Sequence, residues 1–226
     1  MALLPAWLRN RLLRFEAVIE AEVSSLAASL PPGTRVLDAG AGEGQYAHHF
    51  AACRYVAVDL AVGDAAWDYS RLDAQASLEQ LPFRDEEFGA ALNIVVLEHT
   101  RDPARVLGEI GRVLEPDAPL LLIAPQEWGV HQAPHDYFRF TRHGLDWLLQ
   151  KAGFGTAAIE PVGGFFVLLE RTLLEAALFF QGGWRWLPFP FVALVALPAG
   201  LIVPWLDFLD REKNTTLGYV CRVRKR

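Results

Sequence analysis

Apolar residues recur with two different periods along the first part of the chain. From Ala6 to Leu30 they return at helical spacing, which predicts an amphipathic helix that Pro31-Pro32-Gly33 ends. Short apolar runs at 35–38 and 55–59 predict buried strands, with a helix from about Gln45 to Ala52 between them. This strand–helix–strand order is typical of a βαβ unit.

The same alternation continues through the rest of the chain. We predict a strand from about Ala90 to Val96, a helix from Pro103 to Leu114, a strand from Pro119 to Ala124, a helix from Arg142 to Ala152 and a final strand from Thr216 to Val223. Strands that alternate with helices form parallel sheets with right-handed crossovers. The pattern therefore predicts an α/β fold with a doubly wound, mostly parallel sheet.

An aromatic, proline-rich apolar insert at 164–210 interrupts this pattern before the last strand. Its part from Trp186 to Leu206 is uncharged and long enough to span a membrane, but four prolines interrupt it. A single crossing is excluded, because the last strand must return to the sheet. The segment Phe165 to Phe180 carries three charges and predicts an amphipathic helix. The insert is therefore either a hairpin that lies on or dips into a membrane surface, or a hydrophobic lid or dimer face.

Charge and cysteine content limit the ligands that the protein can bind and the cellular compartment that suits it. A net charge of −6 over 226 residues argues against a protein that grips nucleic-acid phosphates, and the basic tail after Cys221 is best explained as a solvated end. The two cysteines have no metal-binding spacing and suit a reducing compartment. The first residues carry arginines and no signal-peptide core. We expect a cytoplasmic protein, peripheral on the inner face of the membrane if the insert meets lipid.

Three glycines follow the first strand directly, at Gly40, Gly42 and Gly44. Glycines at a strand-to-helix turn permit positive φ angles and let a ligand approach the backbone closely. In parallel sheets, ligands bind beyond the carboxyl ends of the strands, where this loop lies. The dinucleotide fingerprint would place its third glycine at Gln45, so an NAD-dependent oxidoreductase is disfavoured.

Two carboxylates indicate which ligand the loop binds. Asp59 ends the second strand and can accept hydrogen bonds from both hydroxyls of a ribose. Asp38 ends the first strand and suits a cationic amino group, directly or through water. S-adenosylmethionine carries both a ribose with two hydroxyls and a cationic amino group. The sequence therefore predicts S-adenosylmethionine as the cofactor.

Four motifs in order carry a family resemblance. The run Val36–Gly44 resembles the first motif of the Rossmann-like (seven-stranded, class I) S-adenosylmethionine-dependent methyltransferases. The runs Leu81–Phe88, Val96–His99 and Glu109–Pro116 resemble the signature of their small-molecule "type 11" branch. The match extends over Pro32 to Phe154. It implies a seven-stranded sheet and a methyltransferase that uses S-adenosylmethionine.

The resemblance also implies roles for single residues. The glycine loop would hold the methionine part, Asp59 the ribose, and Asn93 at the end of strand four would lie beside the reactive methyl. Ser77 stands where the family has an acid that binds the adenine amino group, so this contact passes to the backbone or to Asp73. Leu78 completes the predicted cofactor-binding set.

The segment after strand five combines ionisable and aromatic residues at the edge where substrates are expected. One interpretation makes His131 or His135 a general base with Asp136 as its orienter. The alternative is a structural loop in which Asp136 pairs with Arg139. No metal site is expected, because the proline between the two histidines argues against a helix that would align them.

These observations predict one domain over residues 1–226. It would consist of an N-terminal helix at 1–31, a cofactor-binding core at 32–154, the insert at 164–210, and a last strand with a basic tail at 215–226. The predicted function is methyl transfer to a small, lipophilic or lipid-linked acceptor, with a membrane surface or a second copy of the chain as partner and no nucleic acid. The alternatives are transfer to a soluble metabolite or sugar, and a subunit that binds S-adenosylmethionine without transferring its methyl group.

Overall fold

The computed structural model describes residues 13–64, 66–179, 186 and 188–226. The start of the predicted N-terminal helix, before residue 13, lies outside them. Contacts within the chain divide it into two compact units. The first consists of residues 15–160 and 218–226, and the second includes 161–217, which takes in the predicted insert.

The first unit is built on a sheet of seven strands. They are β1 Arg35–Ala39, β2 Arg54–Asp59, β3 Ala74–Gln75, β4 Ala90–Ile94, β5 Pro119–Pro125, β6 Ala158–Pro161 and β7 Gly218–Arg224, in the order β3-β2-β1-β4-β5-β7-β6. Strands β3, β2, β1, β4 and β5 pair in parallel, and β7 pairs with β5 antiparallel. The predicted α/β fold with a doubly wound, mostly parallel seven-stranded sheet is confirmed. The order reverses between β1 and β4, the point where such sheets bind ligands.

Three α-helices flank the strands: α1 Arg14–Ser29, α2 Pro103–Val113 and α3 Arg142–Lys151. Helices α2 and α3 begin at side-chain caps, since Asp102 accepts a hydrogen bond from Arg105 N and Thr141 accepts one from Gly144 N, each at 3.1 Å. Together with the buried strands β4 and β5, they enclose an apolar core.

The helix predicted from Gln45 to Ala52 is wrong in its length. Only one 3₁₀ turn forms there, at Ala47–Phe50. Gly42 and Gly44 have positive φ angles of 54° and 70°, so the chain is still turning where the helix was expected to begin. Strand β2 then starts at Arg54, which leaves room for a single turn.

In its described residues, the second unit contains two helices, α4 Phe165–Leu178 and α5 Phe189–Ile202, and a 3₁₀ helix, Val203–Leu209, that continues α5. The N-terminus of α4 is capped from the far end of the unit. Gly164 N donates to the Asp207 carboxylate at 3.0 Å, and Phe165 N donates to Asp210 Oδ2 at 2.8 Å. By length and composition alone, the 21 residues from Phe189 to Leu209 are apolar enough to cross a membrane.

Candidate active site

A cavity of about 330 Å³ lies at the carboxyl ends of the parallel strands. Its wall includes the glycine loop, the end of β2 and the segment after β5, through Gly40, Asp59, Ser77, Leu78, Val96 and His135. A second cavity of about 370 Å³ shares Gly40 and Trp67 with the first and is also lined by Gly42. Predicted cofactor-binding residues and predicted acceptor-side residues therefore meet at one edge of the sheet.

Close packing explains the first glycine of the loop. Gly40 has a φ angle of 95°, and a Cβ atom there would lie 2.4 Å from a methyl carbon of Val96. The backbone N–H groups of Gly40 and Ala41 both donate to the carbonyl of Val58, at 2.8 and 3.0 Å. The loop therefore turns tightly against the end of β2, and only glycine fits at position 40.

Asp59 is held rigidly at the cavity wall. Its Oδ2 accepts a hydrogen bond from Gly42 N at 3.0 Å, and its Oδ1 accepts one from Ala61 N at 2.7 Å. An ionised carboxylate has about four acceptor positions, so both oxygens keep capacity for ligand hydroxyls. The chemistry of this wall fits an adenosine ribose, with Leu60 and Leu78 as apolar surface beside it.

Asp38 lies beneath the loop and lines neither cavity. Its side chain is 1% exposed, and the Tyr55 hydroxyl donates to it. Burial raises the pKa of the Asp38 carboxyl to about 7, with the negative charge of Asp59 acting in the same direction. The predicted contact of Asp38 with the cofactor amino group stays a prediction.

Of the other predicted cofactor-binding residues, some line a cavity and others do not. Ser77 and Leu78 line the first cavity. Asp73, the alternative adenine contact, instead accepts a hydrogen bond from Ala57 N at 2.8 Å. Asn93 is fully buried, donates from Nδ2 to Ala39 O at 2.8 Å, and lines neither cavity. Gly44, with its φ angle of 70°, lies outside both linings.

Of the predicted catalytic residues, His135 lines the first cavity, and its Nδ1 lies 3.2 Å from the Tyr137 hydroxyl. Asp136 binds Arg139 through both carboxylate oxygens, at 2.6 and 2.8 Å, and accepts a hydrogen bond from His131 N. The Arg139 guanidinium holds the pKa of Asp136 far below its usual range. This pairing is the one that the alternative interpretation expected, and the orienting role of Asp136 stays a prediction.

Two residues of the motif Val96–His99, Glu98 and His99, were not among the predicted site residues. They follow β4 in a 3₁₀ turn, Leu97–His99. His99 lines the first cavity, and its Nε2 lies 3.0 Å from Nε2 of His131. Burial lowers the pKa of His99 and raises the pKa of Glu98 to about 8. Their position just after a central strand was the available signal, because such residues lie at the ligand-binding edge.

Residues 37–122 match the protein family described as "Methyltransferase domain". A Mycobacterium tuberculosis (strain CDC 1551 / Oshkosh) protein named "Probable S-adenosylmethionine-dependent methyltransferase" is 37% identical over 97 residues, 40% of this chain and 35% of that protein. An Arabidopsis thaliana tRNA (carboxymethyluridine(34)-5-O)-methyltransferase is 29% identical over 116 residues, 49% of this chain and 28% of that one. The chain spans about a third of the length of these relatives.

Solved structures share the fold over most of the chain. A Burkholderia thailandensis 1,6-didemethyltoxoflavin-N1-methyltransferase, solved with S-adenosylhomocysteine, has a TM-score of 0.56 and 20% identity, covering 99% of this chain and 91% of its own. The [4+2]-cyclase SpnF has a TM-score of 0.57 and 23% identity, covering 90% and 80%. At such identities the likeness shows the fold alone.

The comparisons confirm the resemblance to the Rossmann-like methyltransferases that the sequence motifs predicted. The family model and the named relative also confirm the enzyme class and the cofactor at the level of the matched domain. Residues 37–122 of this chain match a methyltransferase domain, and the named relative that they resemble is of the S-adenosylmethionine-dependent class.

Proposed function

We propose that this chain transfers the methyl group of S-adenosylmethionine to a small lipophilic or lipid-linked acceptor at the inner face of a membrane. The observation that carries the transferase part is the anchored Asp59 carboxylate beside the glycine loop, in a cavity that the acceptor-side segment also lines. The observation that carries the lipophilic part is the exposed apolar surface of the second unit.

The chain's own residues have few chemical tasks in such a transfer. The sulfonium of S-adenosylmethionine supplies an already activated methyl group, so the reaction needs chiefly alignment of the acceptor at roughly 3 Å and exclusion of water. Asp59 binds and orients the adenosine. His135 and Tyr137 line the same cavity, where an imidazole can take a proton from an acceptor that must lose one.

The second unit exposes an apolar helical surface that a water-soluble helix would bury. Within Phe189–Leu209, six large apolar side chains are at least 64% exposed, namely Phe191, Leu194, Val195, Ile202, Trp205 and Phe208. Only 17% of the most apolar stretch within Phe189–Leu209 is buried. Contiguous exposed apolar surface marks membrane or protein contact. Trp186 and Trp205 are exposed near the two ends of this stretch, as interfacial tryptophans are.

Vesicle flotation tests the membrane part of the proposal. The test variant changes Phe191, Leu194 and Val195 to Ser, and the matched control changes the exposed apolar residues Trp147 and Val130 of the first unit to Ser. The wild type and the control should float with vesicles of phosphatidylglycerol and phosphatidylethanolamine, and the test variant should stay at the bottom. All three should melt alike, since the altered side chains are exposed.

Two outcomes would contradict membrane contact. A wild type that floats with no lipid mixture would exclude it directly. A wild type that sediments as a dimer without lipid, and a test variant that sediments as a monomer, would assign the apolar surface to a second copy of the chain. Either result would leave the methyltransferase assignment of residues 37–122 intact.

A further inference from the structure

The side-chain carboxyl group of Glu98 is buried in the 3₁₀ turn that follows β4. Its side chain is 0% exposed, and neither carboxylate oxygen has a hydrogen-bond partner in the described part of the chain. A buried carboxylate that lacks partners is costly, and native proteins pair such groups or use them to bind cations. The position therefore needs an explanation beyond the packing of the loop.

Two imidazoles face this carboxylate. Nε2 of His99 lies 3.7 Å from Glu98 Oε1, Nε2 of His131 lies 3.9 Å from the same oxygen, and the two nitrogens are 3.0 Å apart. The circle through these three atoms has a radius of about 2.1 Å. Bonds from Zn²⁺ to histidine nitrogen and carboxylate oxygen measure roughly 2.0–2.2 Å. An ion near the centre of the three atoms would therefore lie at bonding distance from each.

The outer ring nitrogens indicate which atoms carry hydrogen. Nδ1 of His99 lies 2.6 Å from the carbonyl of His135, and Nδ1 of His131 lies 3.1 Å from the carbonyl of Gly129. A carbonyl oxygen only accepts, so each Nδ1 carries the hydrogen. In neutral imidazoles both Nε2 atoms then present lone pairs, which face each other beside a carboxylate. Metal-binding histidines are held in this way, with the second nitrogen donating to a backbone carbonyl.

We propose that Glu98, His99 and His131 bind a divalent transition-metal ion, for which Zn²⁺ fits the ligand set and the spacing. Two histidines and one carboxylate are a known zinc ligand set, and they leave a coordination position for water or for an oxygen atom of a substrate. Because His99 also lines the cavity of about 330 Å³, the ion would lie at the wall of that cavity. A role in holding an acceptor oxygen rests on the proposed function, whereas metal binding itself does not.

The proposed ligands differ from the histidine pair on which the prediction of no metal site rests. That pair is His131 and His135, and the side chain of His135 lies by Tyr137 instead. The second imidazole comes from His99, which is 32 residues before His131 in the chain and follows a different strand. Sequence spacing does not reveal a pair that only the sheet brings together.

A second group of ligand-type side chains requires a control. Glu20, His48 and His49 also lie within 4.8 Å of one another, with Glu20 and His48 exposed, and His49 Nε2 already pairs with Glu20 at 2.8 Å. Exposed groups of this kind are common without a bound ion, but an added metal ion could still reach them in a titration. All measurements should therefore use a protein that carries His48→Ala and His49→Ala.

The test is a titration of this protein with Co²⁺ and then Zn²⁺, after treatment with a chelator and without cofactor or acceptor. We expect one Co²⁺ per chain with strong visible ligand-field absorption, and its displacement by Zn²⁺. Glu98→Gln and His131→Ala should each weaken binding by more than roughly tenfold, while His143→Ala, which alters an exposed histidine of α3, should not. Melting curves of the metal-free variants show whether each is folded.

Two results would overturn the proposal. One is a background protein that binds neither ion at one equivalent. The other is binding that persists in the folded Glu98→Gln and His131→Ala variants. Ring-nitrogen NMR shifts of His99 and His131 would then show which nitrogens carry hydrogen in the metal-free protein. The titration uses no S-adenosylmethionine, so its failure is distinct from a failure of the transferase assignment.

Discussion

Replacing Asp59 tests the cofactor site at its best-defined contact. Both carboxylate oxygens are anchored by backbone N–H groups, at 3.0 Å from Gly42 and 2.7 Å from Ala61, so the group is already in place before a ligand binds. Hydrogen bonds to a charged group contribute about 1.5–3 kcal/mol. Asp59→Ala should therefore weaken S-adenosylmethionine binding by roughly tenfold to a hundredfold.

Asp73→Ala is the matched control for this experiment. Asp73 also anchors a backbone N–H, that of Ala57 at 2.8 Å, but its side chain does not line the cavity. Calorimetry on both folded variants should show a large loss of affinity for Asp59→Ala and only a small one for Asp73→Ala. Equal losses, or an unchanged affinity in folded Asp59→Ala, would refute the assignment of Asp59 to the ribose.

Three further changes test other parts of the site. Gly40→Ala should lower the melting temperature more than Gly44→Ala, because both positions have positive φ angles but only at Gly40 would the new Cβ lie 2.4 Å from Val96, whereas at Gly44 the nearest atom is 3.6 Å away. The folded-state pKa of Asp38 is raised to about 7, so the stability that its bound proton contributes is lost as pH rises from about 4 to 7. The free energy of unfolding, measured with urea, should therefore rise for Asp38→Asn relative to wild type by about 2–3 kcal/mol between pH 5 and pH 8. A difference in unfolding free energy that does not change with pH would contradict a buried, protonated Asp38. His135→Ala should leave cofactor affinity within a few-fold but slow single-turnover methyl transfer, and full activity would show that the histidine has no part in the chemistry.

Local patterns of apolar and polar residues in the sequence were enough to predict most of the fold. Periodicity and the alternation of strands with helices predicted the sheet, because burial on both faces dictates apolar runs such as that of β4, Ala90–Ile94. The glycine loop and Asp59 were predictable because they lie at the carboxyl ends of β1 and β2. The helix after the loop was not, since the positive φ angles of Gly42 and Gly44 delay it beyond what apolar spacing can show.

Contacts between distant segments could not be predicted from the sequence. The cluster of Glu98, His99 and His131 joins the ends of two strands, and no short motif contains it. The pairing of Asp136 with Arg139 was one of two interpretations of the sequence, and the structure shows both carboxylate oxygens bound to the guanidinium. Sequence likewise indicated that the insert is apolar but not that its large side chains are exposed, which depends on what packs against them.

Methyl transfer to a lipophilic acceptor is tested directly by an assay with S-adenosylmethionine labelled in its methyl group, incubated with membrane-lipid extract and, separately, with soluble metabolites. We predict formation of S-adenosylhomocysteine and label in the organic phase with the lipid extract, both strongly reduced in Asp59→Ala. Label only in water-soluble products would contradict the lipophilic acceptor. Cofactor that binds by calorimetry, but yields no S-adenosylhomocysteine with either extract, would contradict methyl transfer itself.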